Sequence, residues 1–147
     1  MFISKLSRPR LHIIEDNEFD IDLLENFLEQ VLMPNNLNFE TIYSNYYHTA
    51  VDRLQNSDEK RDLVFLDLGL PDSKGIETFR NLKAQFPNHF YVVMSGSIDP
   101  DVQATAMQYG CDFFIGKEDL GPDIVSEAIK KFIKSRIKKS KTSQPVS

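Results

Sequence analysis

Leu63-Val64-Phe65-Leu66-Asp67-Leu68-Gly69-Leu70-Pro71-Asp72 sets four apolar residues directly against one carboxylate, after which Gly69 and Pro71 turn the chain. An apolar run of this length with no polar alternation suits a parallel strand covered by helices on both faces. Asp67 then stands at the carboxyl end of that strand, the edge of an open α/β sheet where ligands bind. The plainer reading is that Asp67 only starts a turn. The neighbouring segments decide between the two.

Before this stretch, Leu11-His12-Ile13-Ile14 reads as a strand ending on the carboxylate pair Glu15-Asp16. Phe19, Leu23, Leu24, Phe27, Leu28, Val31 and Leu32 recur at three-to-four spacing, which predicts an amphipathic helix closed by Pro34, Asn35 and Asn36. Residues 39–43 form a second, more exposed strand, Ala50, Val51 and Leu54 mark a short helix, and residues 56–61 are a solvated connection. After the central stretch, Ile76, Phe79, Leu82 and Phe86 line a helix stopped by Pro87. Residues 90–94 form a fourth strand ending on Ser95-Gly96-Ser97, a helix spans 102–109 before Gly110, and residues 112–115 form a fifth strand ending on Gly116-Lys117. Ile124, Val125, Ala128, Ile129, Phe132 and Ile133 predict the last helix. Five strands alternating with five helices imply right-handed βα units and a parallel sheet. Because strands 1, 3 and 4 are the apolar ones, the fold class is α/β, a flavodoxin-like (βα)5 doubly wound sheet of order 2-1-3-4-5. Its switch point lies between strands 1 and 3, where Glu15, Asp16 and Asp67 converge.

Composition narrows the function classes. The 147 residues suffice for one domain with a full core and are too few for two ordinary ones. The net charge of -5 gives no general attraction to nucleic acid or to anionic membrane. The basic cluster over residues 130–141 reads as the solvated face of the last helix. A single cysteine, Cys111, excludes an intramolecular disulfide and reads as a buried, inert thiol. The first ten residues lack the apolar core of a secretory signal and no run reaches the length of a membrane span, so the expected location is the cytoplasm.

Three carboxylates brought within a few ångströms repel one another, and a small hard cation resolves the conflict. Ser95 adds a hydroxyl at the end of strand 4 and Lys117 an ammonium at the end of strand 5. Singly, Ser95 is a turn residue, Lys117 a surface lysine and Glu15-Asp16 an acidic helix start. Jointly they describe a nucleophile, a metal site, a hydroxyl donor and a cation arranged for a phosphoryl group on a carboxylate. His12, His48 and His89 have no ligand spacing and are not expected to bind metal.

These motifs, Ile14-Glu15-Asp16-Asn17, the central stretch with Gly75, Val93-Met94-Ser95-Gly96 and Phe114-Ile115-Gly116-Lys117, resemble the receiver domain of two-component response regulators. The resemblance covers residues 10–138, with residues 1–9 as an N-terminal extension and 139–147 as a polar tail. It implies that Asp67 is the phosphoacceptor, taking its phosphoryl group from a sensor histidine kinase or a histidine phosphotransfer protein. It implies Mg2+ held by Asp16, Asp67 and the Gly69 backbone carbonyl, with Glu15 acting through water. Ser95 and Lys117 match the phosphoryl-stabilising hydroxyl and lysine, and Ser95 with Phe114 the switch pair. The output is then a phosphorylation-dependent protein partner, neither membrane nor nucleic acid. Such a chain catalyses its own phosphorylation and dephosphorylation but is mainly a signalling protein. A pseudo-receiver that binds partners without phosphorylation is the alternative. An aspartate-nucleophile phosphatase needs an acid two residues after Asp67, where Gly69 stands. Two departures from the family pattern are Glu118 in place of the usual proline and Gly69 in place of a larger residue. The first predicts a trans bond and a different loop around Lys117.

Overall fold

The computed structural model describes residues 9–57, 61–96 and 99–142, with side chains described through residue 137. The N-terminal extension up to residue 8, the connection at 58–60, residues 97–98 and the tail from 143 onward lie outside the described residues. The strands are β1 (Arg10–Ile14), β2 (Glu40–Ser44), β3 (Leu63–Asp67), β4 (Phe90–Ser95) and β5 (Phe113–Gly116). They form one parallel sheet in the order β2-β1-β3-β4-β5, as the apolar character of β1, β3 and β4 predicts. The helices are α1 (Glu18–Leu32), α2 (Tyr47–Gln55), α3 (Gly75–Gln85), α4 (Pro100–Gln108) and α5 (Pro122–Thr142), with a 3-10 turn at Lys117–Asp119.

Every residue of β3 is buried, and its side chains divide by the two-residue period of a strand. Leu63 and Phe65 join the core under α1 and α5, with Leu24, Leu28, Val125 and Phe132. Val64 and Leu66 join the opposite core under α2, α3 and α4, with Leu54, Phe79, Leu82 and Ala106. A strand with two apolar faces therefore carries one polar side chain out of the core, and that side chain is Asp67.

Three elements depart from the sequence reading. Phe19, expected on the apolar stripe of α1, is 72% exposed. It lies five residues before Leu24, about 140° round the helix at 100° per residue, and so faces away from the stripe. Helix α4 starts at Pro100 because Asp99 caps it, accepting a hydrogen bond from the Asp101 N–H, with the proline at the first helical position. Helix α5 runs to Thr142, beyond the last apolar residues, since no Gly or Pro interrupts its basic segment. Cys111 is buried as expected, and burial pushes its thiol up to about 11.

At the amino-terminal edge of the sheet, sequence reading had left His12, Asp62 and His89 without a role. Asp62 is buried just before β3 and accepts from His12 Nε2 at 2.9 Å and Ser57 Oγ at 2.8 Å, while its own N–H donates to His89 Nδ1 at 3.0 Å. Burial lowers His89 from 6.5 to about 4, the Asp62 charge opposing this and His12, Arg61 and Arg10 adding to it. The folded ring must stay neutral to accept the Asp62 N–H. In the unfolded chain His89 takes up its proton near 6.5, so its contribution to stability is complete above that pH and falls as pH drops toward 4. The loss amounts to at most about 3 kcal/mol. Chemical denaturation across this window is expected to show that slope in the wild type. In His89→Gln, whose amide oxygen still accepts the bond, the slope is reduced; equal slopes in both proteins contradict this assignment.

Candidate functional site

The carboxyl ends of β1, β3, β4 and β5 open into a cleft of about 540 Å³ lined by Glu15, Asp16, Asp20, Asp67, Gly69, Ser95 and Lys117, among others. The sheet register builds it. Asp67 lies opposite Met94, the Leu68 N–H still donates to the Met94 carbonyl, and Ser95 lies opposite Gly116. Lys117 therefore leaves β5 one residue beyond Ser95. On the other side the Glu15 N–H donates to the Ser44 carbonyl, continuing β1 past its last paired residue.

Asp67 is only 3% exposed and Glu15 2%, whereas Asp16 is exposed at the rim. Oxygens of these three carboxylates all lie within 4.8 Å of one another. Burial pushes Glu15 up to about 8, with the hydrogen bond and charge of Asp67 adding to the rise and Lys117 offsetting part of it. Lys117 Nζ lies 3.0 Å from Asp67 Oδ1, 3.0 Å from Glu15 Oε1 and 2.9 Å from Asp20 Oδ2. Burial alone would lower this ammonium, but Asp20, Glu15 and Asp67 outweigh it and hold it well above the ordinary lysine value. Hard oxygen donors crowded around a buried carboxylate suit a divalent cation such as Mg2+.

The model of the response regulator receiver domain matches residues 11–130. This chain belongs to that family. Over 64 residues the receiver is 36% identical to the KDP operon transcriptional regulatory protein KdpE of Escherichia coli K12, a match taking in 44% of this chain and 28% of KdpE. In fold it is similar to a CheY-like receiver domain protein from Methanospirillum hungatei, with a TM-score of 0.73 and 20% identity over 90% of this chain and 99% of that one. It is also similar to the phosphorylated cyanobacterial phytochrome response regulator RcpA, with a TM-score of 0.70 and 21% identity over 88% of this chain and 96% of that one.

The receiver brings Glu15, Asp16, Asp67, Gly69, Ser95 and Lys117 together as the sequence predicts. Phe114 is half-buried against the core under α2, α3 and α4 and lies outside the cleft lining. The Glu118 departure leaves Lys117 in reach of Asp67: the chain turns tightly over Lys117–Asp119, with no cis peptide among the described residues. The other departure is equally concrete. A Cβ at Gly69 would stand 3.3 Å from Asp67 Oδ2, so glycine keeps that side of the carboxylate open. Beyond it, Asp72 accepts from the N–H groups of Tyr47 and His48 at 2.7 and 3.2 Å. This caps α2, whose own N-cap Tyr46 makes no side-chain bond.

Sequence reading missed Asp20. It lies three residues after the N-cap Asn17, where an acid ordinarily reaches back to the N-cap N–H. Here the Asn17 N–H donates to Glu15 Oε2 at 3.3 Å, and the Asp20 carboxylate is turned to Lys117 instead. An acid in a first helical turn carries no signal of that orientation.

Proposed function

We propose that this receiver accepts a phosphoryl group on Asp67 from a phosphohistidine of a sensor kinase or phosphotransfer protein, and signals by binding a protein partner differently in its two states. The observation that carries this reading is the Asp67 carboxylate, buried to 3% at the end of β3 yet lining an open cleft, with Lys117 Nζ at 3.0 Å. One Asp67 oxygen forms the new O–P bond with a lone pair while the N–P bond of the donor breaks, its electron pair staying with the imidazole nitrogen. The site supplies alignment and charge rather than a general base. Lys117 donates to a phosphoryl oxygen, and the Ser95 hydroxyl, at the end of the neighbouring strand, donates to another. Asp16, Asp67 and the Gly69 carbonyl would hold Mg2+, with Glu15 beside them, and the ion would supply charge neutralisation for the phosphoryl oxygens. Phe114, on the strand that leads to Lys117, is the residue we assign to the change of state, together with Ser95, and the face of α4, β5 and α5 is the output surface.

Residues 10–138 constitute this unit, and its place of action is the cytoplasm, where a kinase phosphohistidine is presented. Among the described residues no helix is long and apolar enough to cross a membrane. The test is intact mass after incubation with a small-molecule phosphodonor, with and without Mg2+. The expected result is a Mg2+-dependent gain of one phosphoryl group in the wild type and none in Asp67→Asn. A folded, Mg2+-binding wild type that gains nothing from small donors or from a phosphorylated histidine protein is a pseudo-receiver, and the reading falls.

A further inference from the structure

Lys117 donates hydrogen bonds to Glu15 and Asp20 and forms an ion pair with Asp67 at 3.0 Å, so three carboxylates surround its ammonium. The three carboxylates are not equivalent. Glu15 also accepts the N–H groups of Asp16 and Asn17 through Oε2, so its orientation is set without the lysine. Asp67 is the centre of the site. The Asp20 side chain, half-buried on the first turn of α1, has Lys117 as its hydrogen-bond and ion-pair partner among the described residues, and its backbone N–H is already taken by Asn17 Oδ1. Neither capping nor packing of α1 requires its charge.

We infer that Asp20 is a positioning residue for Lys117 that opposes the phosphoryl-bearing state: it holds the ammonium toward α1 and sets a further negative charge beside the cleft. The inference rests on the phosphoacceptor reading of Asp67. Esterification removes the charge of the Asp67 oxygen and puts phosphoryl oxygens in its place. A lysine donor must then serve those oxygens while Asp20 competes for it and repels the added anion. The same charge favours a divalent cation. Asp20 therefore acts with opposite sign on the two species that meet at Asp67, which a loosened or misfolded cleft does not do.

The test compares wild type, Asp20→Asn, Asp20→Ala and Asp20→Glu, each checked for folding by circular dichroism. Magnesium affinity is measured calorimetrically, and formation of the beryllofluoride adduct, a mimic of the aspartyl phosphate, is followed by fluorine NMR at saturating Mg2+. In Asp20→Asn and Asp20→Ala the adduct is expected to form at about 3–10-fold lower beryllofluoride while Mg2+ binds about 2–5-fold more weakly, the scale of one partly screened charge. Asp20→Glu keeps the charge and stays near the wild type in both. Weakening of both ligands overturns the inference in favour of a structural role, and so does an unchanged or weakened adduct. A wild type that forms no adduct removes the phosphoacceptor reading and this inference with it. A wild type that forms one, beside neutral variants that match it, removes the inference alone.

Discussion

Lys117→Met is expected to bind Mg2+ more tightly than the wild type while forming the phosphorylated species far less readily. Its ammonium lies within 3.0 Å of carboxylate oxygens on Asp67, Glu15 and Asp20, so it occupies, electrostatically, part of the space a divalent cation serves. Removing it leaves the crowded carboxylates with less compensation, and the tightening of Mg2+ is expected to be about tenfold, the equivalent of roughly 1.4 kcal/mol. The phosphoryl group experiences the reverse. It loses a charge-assisted donor at the point where three oxygens carry negative charge, and a loss of this kind typically costs about 2.7–4 kcal/mol, or about 10²–10³ in rate. Methionine keeps an unbranched side chain of most of the length, so the cleft does not collapse. Calorimetric Mg2+ titration and the rate of phosphoprotein formation by intact mass read the two effects separately. Parallel weakening of both would mean that Lys117 holds the cleft open rather than serving the anion.

Asp62→Ala carries the largest expected effect on stability. The carboxylate is 2% exposed, accepts from His12 and Ser57, and has the Arg10 guanidinium at 3.7 Å. Burial would raise its pKa, but His12, Ser57 and the nearby His89 outweigh that and hold it below the ordinary carboxylate value. Removing the buried carboxylate leaves the donors of His12 and Ser57 without an acceptor, at a cost of about 1–3 kcal/mol for each buried one. Against a typical total of about 5–15 kcal/mol, that is a large share. Thermal melts should show the midpoint falling by roughly 10 °C or more. Asp62→Asn, which keeps an acceptor for Ser57, falls between the two. Mg2+ affinity of the folded fraction stays as in the wild type. A change of only a degree or two would show that the network contributes little beyond its shape.

Much of this architecture was legible because β3 states two things at once: continuous apolarity, which demands cover on both faces, and a terminal carboxylate that the cover does not reach. With β1 leading into Glu15-Asp16 and β5 into Lys117, strand order alone brings the chemical groups together. What escaped reading depends on orientation. Phe19 has an apolar side chain but the wrong angle about α1, so counting apolar residues placed it in the core when it is exposed. Asp20 has the spacing of a capping residue, and only the prior claim of Glu15 on the Asn17 N–H frees it for Lys117. Asp62 and His89 stand before strands, in segments whose polarity reads as loop, and nothing in their spacing tells that they fold beneath the sheet to meet His12.

The placement of Asp62 immediately before β3 and of Asp67 at its end bears on how this molecule can change over time. The two carboxylates are separated by five residues, about 16 Å along an extended strand. One is fully partnered and anchors the molecule; the other sits among like charges and is held in check by a single lysine. On the proposed function, substitutions around the cleft can therefore retune phosphoryl lifetime, metal preference or partner choice without drawing on the reserve that keeps the chain folded. The reverse also holds. A lesion at Asp62 or His89 would lower the amount of working protein in a cell while leaving each surviving molecule able to signal normally. Loss of abundance and loss of signal are thus separable phenotypes, assigned to opposite ends of one strand.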